Sequence, residues 1–359
     1  MKGRVVVGMS GGVDSSVAAY LLKEQGYDVI GITMQIWQDE DRCEIEESGG
    51  CCGLSAVEDA RNVANKLGIP YYVLNFKKEF KESVIDYFID EYSKGLTPNP
   101  CIACNRYVKW ESMLNKALTL EADYIATGHY ARVVKHPITN RYTIKMANTD
   151  IKDQTYALYN LTQFQLEHTL MPVGDYEKPE IRKIASEIGL DVANKPDSQD
   201  ICFVPDGDYA KFIKENSNIK IKEGNFIDKS GKILGKHKGI CNYTIGQRKG
   251  LGIAFGSPMY VSEIKADTNE VVLTGNDGLF KNKVLIKDFN FMSVEDIEGE
   301  VSVCGKLRYS QKQAPCTIKK LENGLVEATF KEPQRAVTPG QAAVFYDGEY
   351  VLGGGVIYK

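Results

Sequence analysis

The chain has no apolar run long enough to span a membrane, no Gly-x-x-x-x-Gly-Lys-Ser/Thr motif, no internal repeat and no low-complexity tract. Its N-terminus enters a short buried-strand pattern at once and shows no secretory signal, so the expectation is a cytoplasmic protein with no membrane partner. The missing Walker motif excludes the commonest phosphate loop, though not phosphate binding itself. A disulfide framework is also lacking: nine cysteines, an odd number scattered over 359 residues, are better read as metal-binding or catalytic wherever their spacing is chemical. The net charge of −4 does not announce a nucleic-acid binder, and 43% hydrophobic with 26% charged residues is ordinary for a globular protein. The length implies two or three domains, each able to bury a core.

Acid is locally absent. From Lys229 to Ser262 there is no Asp or Glu beside Lys229, Lys232, Lys236, Lys238, Arg248 and Lys249. A second acid-free stretch, Val301 to Lys320, carries Lys306, Arg308, Lys312, Lys319 and Lys320. By contrast, eight acidic residues face one Arg between Gln38 and Asp59. Basic surface is therefore concentrated in the C-terminal half, where it serves either as a phosphate-backbone footprint or as a solvated lysine face.

The most informative feature present is Gly8-Met9-Ser10-Gly11-Gly12-Val13-Asp14-Ser15-Ser16, between the apolar run Val5-Val6-Val7 and a helix-like stretch from Val17 to Gln25. It reads as strand, tight glycine turn, helix. Gly11 and Gly12 permit positive φ and close backbone approach, while Ser10, Ser15 and Ser16 bring hydroxyls to a helix N-terminus, where an anion is favoured. The Ser-Gly-Gly-x-Asp-Ser pattern resembles the PP-loop of the ATP pyrophosphatase superfamily, which implies cleavage of ATP between its α and β phosphates and adenylation of a carbonyl oxygen.

Along the first half, short apolar strands alternate with amphipathic helices. Val29 to Met34, a helix over Ser55 to Leu67, the strand Tyr71 to Leu74, a helix from Glu79 to Tyr92 and the strand Tyr124 to Thr127 predict a doubly wound α/β parallel sheet. Ligands bind beyond the carboxyl ends of such strands, so the Gly8 loop, Met34 and Gly128-His129 should converge on one nucleotide, unless Met34 is core filler and Gly128 a plain turn. A polar, Pro-interrupted stretch around Asn194 to Asp200 marks a boundary. The expected domains are 1–200, 201–280 and 281–359. From about Ile221 short β-like runs take over, with Asp347-Gly348 turning between Ala343 to Tyr346 and Tyr350 to Leu352, and the last ~75 residues read as a small antiparallel barrel or sandwich.

A second constellation is Thr97-Pro98-Asn99-Pro100-Cys101-Ile102-Ala103-Cys104-Asn105. The prolines predict an extended approach, and Cys-x-x-Cys puts two thiols within reach of one metal or of each other. Structural zinc would need further ligands from Cys43, Cys51, Cys52 or Cys202, and a thioredoxin-like pair lacks its usual surroundings.

With these segments and Gly31-Ile32-Thr33-Met34, Ala126-Thr127-Gly128-His129-Tyr130, Lys152-Asp153-Gln154, Pro172-Val173-Gly174, Asp200-Ile201-Cys202-Phe203, Gly246-Gln247-Arg248-Lys249-Gly250-Leu251-Gly252 and Thr338-Pro339-Gly340-Gln341, the chain resembles the bacterial tRNA-specific 2-thiouridylases nearly end to end. The resemblance implies a PP-loop catalytic domain, a central tRNA-binding domain and a C-terminal β-barrel that clamp a tRNA anticodon arm. The implied reaction is ATP-dependent adenylation of O2 of the wobble uridine, in tRNAs for Lys, Glu and Gln, followed by sulfur transfer. Gly8, Met9, Ser10, Gly11, Gly12, Val13, Asp14, Ser15, Met34 and Gly128 are then expected at ATP, with Asp14 a catalytic Mg²⁺ ligand. Cys104 is the expected nucleophile and Cys202 the persulfide carrier, loaded by a sulfur-donor protein. Asn99, Pro100 and Cys101 are expected against the target base, and His129, Lys152, Asp153, Gln154, Arg308, Tyr309 and Gln341 at the tRNA, a single RNA chemistry with no DNA partner. The best-described members carry Asp where this chain has Cys101. Cys101, Cys104 and Cys202 could therefore ligate a 4Fe-4S cluster with one open iron, or serve a metal-free persulfide and disulfide cycle. Cys43, Cys51 and Cys52 have no assigned role. Two rival readings stand beside this one: another PP-loop adenylating enzyme, resembling lysidine synthetase or argininosuccinate synthetase, and a non-catalytic tRNA-binding module.

Overall fold

A computed structural model describes residues 2–36, 54–149, 152–196, 201–253 and 256–358. Cys43, Cys51, Cys52, most of the acidic segment and the Asp197 to Asp200 boundary lie outside them. The N-terminal sheet is five-stranded and parallel. Strands β1 (Arg4–Gly8), β2 (Asp28–Gln35), β3 (Tyr71–Asn75) and β4 (Tyr124–Ala126) are followed by the hairpin β5 (Arg132–Lys135) and β6 (Tyr142–Lys145), then by β7 (Thr169–Leu170). The order β3-β2-β1-β4-β7 places β1 at the centre. Val5, Val6 and Val7 are all buried, as a strand covered on both faces requires. Helices α1 (Val13–Glu24) and α2 (Leu54–Leu67) cover one face with Lys178–Glu187, and the helical runs 77–93 and 100–119 cover the other.

Two local features differ from the sequence expectation. Helix α1 starts at Val13 rather than Val17, so the loop motif itself forms the first helical turn. The extended approach ends at Asn99: Pro100 occupies a first-turn position, where its fixed φ and absent N–H cost nothing, and Cys101 to Cys104 already wind. From Cys104 to Met113 the helix is π-wound, a form frequent at functional sites.

The central region holds the helix Tyr209–Asn216 and a four-stranded sheet of β8 (Gly224–Ile227), β9 (Ile233–His237), β10 (Tyr260–Lys265) and β11 (Glu270–Thr274). Strands β12 (Phe280–Phe291), β13 (Glu300–Lys306), β14 (Ala314–Lys320), β15 (Val326–Arg335), β16 (Ala342–Asp347) and β17 (Tyr350–Ile357) form an antiparallel barrel, closed by the pairing of β12 with β17. The β16–β17 hairpin turns at Gly348, as the Asp-Gly pair predicts. The N-terminal hairpin β5–β6 adds to this barrel sheet through β17, so the first and last parts of the chain share one sheet.

Candidate active site

The PP-loop segment leaves β1 at Gly8 and enters α1 at Val13. Gly11 has φ +69°, and a Cβ there would sit 2.4 Å from the Ala56 carbonyl oxygen of α2, so only glycine fits both the backbone and the space. Within the loop, Ser10 N–H donates to Ser15 Oγ at 3.2 Å, while the Ser15 and Ser16 hydroxyls donate to Gly12 O at 3.1 and 2.9 Å. Gly12 is the N-cap and brings no side-chain cap, so the first-turn N–H groups and the helix dipole face the loop mouth as an anion site. Gly128 follows β4, and a Cβ on it would lie 2.6 Å from Ser15 N, which fixes this turn directly against the loop. Met9 and Val13 are buried and can offer a ligand only their backbone, whereas Met34 sits partly buried at the end of β2 against the core. The expected nucleotide residues thus gather at the carboxyl edge of the sheet.

Asp14 has a specific setting. Lys178 Nζ lies 2.7 and 2.8 Å from its two oxygens, and Tyr130 OH donates to Oδ1 at 2.7 Å. A second lysine, Lys195, donates to Asp59 Oδ2 at 2.6 Å and reaches Gly11 O at 3.3 Å. These two lysines bring to the loop the positive charge that its motif lacks. Neither was legible from the sequence, where Lys195 stood only as part of a boundary and Lys178 drew no reading. With both carboxylate oxygens held by an ammonium, Asp14 does not fit the role of a ready Mg²⁺ ligand.

The thiol-bearing helix is built by Asn99, whose Oδ1 accepts from Cys101 N at 3.1 Å and Ile102 N at 3.3 Å. Cys101 is exposed; Cys104 and Cys202 are partly buried and pack on the same core. Phe203 anchors the Cys202 segment, its ring edge-on to Phe80 at 5.7 Å and Phe88 at 5.4 Å. Among the described residues no three His, Cys, Asp or Glu side chains gather as a metal-binding group.

Residues expected at tRNA fall into two sets. Asp153 is buried, accepting from Ala147 N at 3.2 Å and Thr155 Oγ1 at 2.6 Å, and burial raises its pKa against those bonds. Gln154 Oε1 accepts from Tyr130 N at 2.9 Å. Gln341 Nε2 donates to Thr97 O at 2.8 Å, and Thr97 N donates to Pro339 O at 3.0 Å, so the barrel loop buttresses the approach to Cys101. These three hold the frame. Arg308 is half-buried, its guanidinium donating to the Ala336 carbonyl, whereas Tyr309 reaches solvent with its ring 6.1 Å from Tyr156; the covered part of that ring, followed by the charges of Asp153 and Cys101, raises its pKa. Lys306 lies about 6 Å over both tyrosine rings. Burial lowers the Lys306 pKa and Asp153 opposes that shift. Lys152 is partly buried beside Asp153. His129 turns inward: its Nδ1 is 2.7 Å from Thr127 Oγ1, and burial together with Lys109 holds its pKa well below the usual imidazole value.

Three families match the chain in succession. They are the tRNA methyl transferase HUP domain over residues 3–206, the tRNA methyl transferase PRC-barrel domain over 210–274 and the aminomethyltransferase beta-barrel domain over 281–357. The chain is 63% identical over 356 residues to the tRNA-specific 2-thiouridylase MnmA of Lachnoclostridium phytofermentans, covering 99% of both chains. It is 60% identical to the protein of the same name from Clostridioides difficile, over 100% of this chain and 99% of that one. Acetivibrio thermocellus MnmA is also 60% identical, with 99% of each chain covered. Among the described residues no helix is long and apolar enough to cross a membrane.

Proposed function

The chain belongs to the tRNA-specific 2-thiouridylase family, and from that premise we propose how its residues divide an ATP-dependent sulfur transfer to the wobble uridine of tRNA. The carrying observation is the uncapped α1 N-terminus, flanked by the Asp14–Lys178 and Asp59–Lys195 pairs, within the same domain as the Cys104 helix. Uracil is a poor electrophile at C2, and its oxygen cannot leave unaided. Attack of O2 on the α-phosphorus of ATP forms an O2–P bond; the bond from that phosphorus to the bridging oxygen breaks, pyrophosphate leaves with the electron pair, and N3 gives up its proton. The loop N–H groups, Ser10 and the neighbouring lysines hold the phosphates during this step. Mg²⁺, when it accompanies ATP, neutralises phosphate charge.

The terminal sulfur of a persulfide on Cys202 then attacks C2, the C2–O2 bond breaks, and AMP departs with the pair. Attack of the Cys104 thiolate on the Cys202 sulfur releases the 2-thiouracil anion, which takes back a proton. The resulting Cys104–Cys202 disulfide is reduced by a dithiol, and a sulfur-donor protein reloads Cys202. Asn99, Pro100 and Cys101 shape the base pocket, while Arg308, Tyr309 and the basic stretches Lys229 to Lys249 and Val301 to Lys320 take the tRNA backbone. Cys104→Ser and Cys202→Ser should each stop thiolation while permitting pyrophosphate release. Anaerobically prepared Cys101→Asp should thiolate without iron; activity that follows iron content through the Cys101 variants would overturn the metal-free cycle.

A further inference from the structure

Lys109 has a setting that neither the loop nor the thiols explain. It lies one turn beyond Cys104 on the π-wound segment, partly buried, with Nζ 2.8 Å from Asn105 Oδ1 and 3.4 Å from His129 Nε2. An ammonium can only donate, so His129 Nε2 accepts, and the ring proton sits on Nδ1 facing Thr127 Oγ1. Asn105 is itself pinned, its Nδ2 donating to Ala157 O at 2.9 Å. Lys109 is therefore held at a fixed place by two neutral acceptors, and no carboxylate among the described residues bridges to it. Lys178 and Lys195 differ, each being matched by an aspartate. A partly desolvated cation without an anion is costly, and the cost is relieved when an anion arrives.

The position says which anion. His129 directly follows Gly128, the residue packed against Asp14 and Ser15 of the loop. Met113, four residues beyond Lys109, places its Sδ 3.5 Å from where a Cβ on Gly8 would be. Lys109 thus lies between two contacts with the phosphate loop on one side and the Cys104 end of its helix on the other. The α-phosphoryl group must occupy that interval if uracil O2 is to reach phosphorus and C2 is then to meet sulfur.

We propose that Lys109 is a catalytic residue that binds the non-bridging oxygens of the α-phosphoryl group as the O2–P bond forms and pyrophosphate leaves. This rests on the adenylating activity of the family. The charge is assigned to the phosphoryl group because one of its two acceptors, His129, adjoins the Gly128 turn that packs on the loop.

The test is single-turnover pyrophosphate release by the full chain with unmodified tRNA. Lys109→Gln should lower the rate by about 100-fold, the usual loss for one preorganised donor, while dissociation constants for ATP and tRNA stay within about threefold. Lys109→Arg should recover most of the rate, and ethylammonium added to Lys109→Ala should restore part of it. A parent enzyme that releases no pyrophosphate sinks the proposed adenylation and this inference together. An active parent with an equally active Gln variant sinks this inference alone. Normal pyrophosphate release with lost thiolation would overturn it in favour of a thiolate partner, and equal losses in Arg and Gln variants would reduce Lys109 to a packing role.

Discussion

The Asp14–Lys178 pair can be broken from either side, and its geometry sets the size of the effect. Its side chains are 30% and 13% exposed, between the limits of a buried and a surface ion pair. Removing one partner of a fully buried pair costs about 3–5 kcal/mol, and a surface pair is worth about 0–1 kcal/mol. An intermediate cost of about 2 kcal/mol is therefore expected for Lys178→Met, which keeps most of the side chain's length but removes the ammonium that lies over the Tyr130 ring and holds the Asp14 charge. In a unit of roughly 200 residues that lowers Tm by about 4–8 °C. Asp14→Asn keeps the Tyr130 hydrogen bond and strands Lys178 instead, while the double variant strands neither charge and should be less impaired than the two single losses summed. Pyrophosphate release should fall about 100-fold in both single variants, since each disturbs the charge beside the phosphates. The assays are thermal unfolding of the four proteins and pyrophosphate release with tRNA present. Strictly additive stability losses, or wild-type release from either single variant, would refute the pair as a shared element of the loop.

Gly11→Ala should abolish pyrophosphate release and lower Tm, because the new Cβ meets the Ala56 carbonyl at 2.4 Å in a left-handed backbone; an active variant would show that α2 can withdraw. Lys249 is exposed in the acid-free stretch, so Lys249→Ala should weaken tRNA binding and reduce the slope of log affinity against log salt by about 1, and an unchanged slope would make it mere solvated surface. His129 is neutral in the fold with its pKa pushed down by burial and by Lys109, so the unfolded chain binds the extra proton first. Stability from this residue is complete above the unfolded pKa of about 6.5 and is lost as pH falls below it, by up to about 1.4 kcal/mol per pH unit. His129→Gln should flatten unfolding curves between about pH 6.5 and 5, and equal slopes in parent and variant would place His129 in solvent.

The legible parts of this protein are those whose causes are local. Val5 to Val7 followed by Gly11 and Gly12 gives a strand, a glycine turn and a helix, because each step is decided within a few residues, although the helix begins at Val13, four residues before Val17. The Asp347-Gly348 hairpin was readable for the same reason. Lys178 and Lys195 were invisible because their aspartates lie 164 and 136 residues away, and no periodicity encodes such a pairing. The extended approach expected from the prolines holds through Asn99, and only at Pro100 does the chain turn helical, because proline fits the first turn of a helix as well as extended chain and the Asn99 cap decides. The inward roles of Gln154 and Gln341 depend on partners brought by tertiary packing, so a polar residue in a motif could not be told from a ligand contact by sequence.

The Gln341 contact has a further consequence for how the ends of the site are held. The phosphate end is fixed within the N-terminal domain by α1, Gly128 and Lys178. The thiol end is fixed partly from outside it: Thr97 donates to Pro339, Gln341 donates to Thr97, and Gly340 packs so closely that a Cβ would lie 2.8 Å from Thr97 N. Tyr309 of the same barrel lies within electrostatic reach of Cys101. A load placed on the barrel should therefore reach the helix that carries Cys101 and Cys104 through the Thr97 contacts. On the proposed division of roles, the barrel contacts bear on the thiol end of the site more directly than on the phosphate end. Loosening Gly340 or Gln341 should on that account separate the two half-reactions, sparing pyrophosphate release and lowering the yield of thiolated tRNA per pyrophosphate.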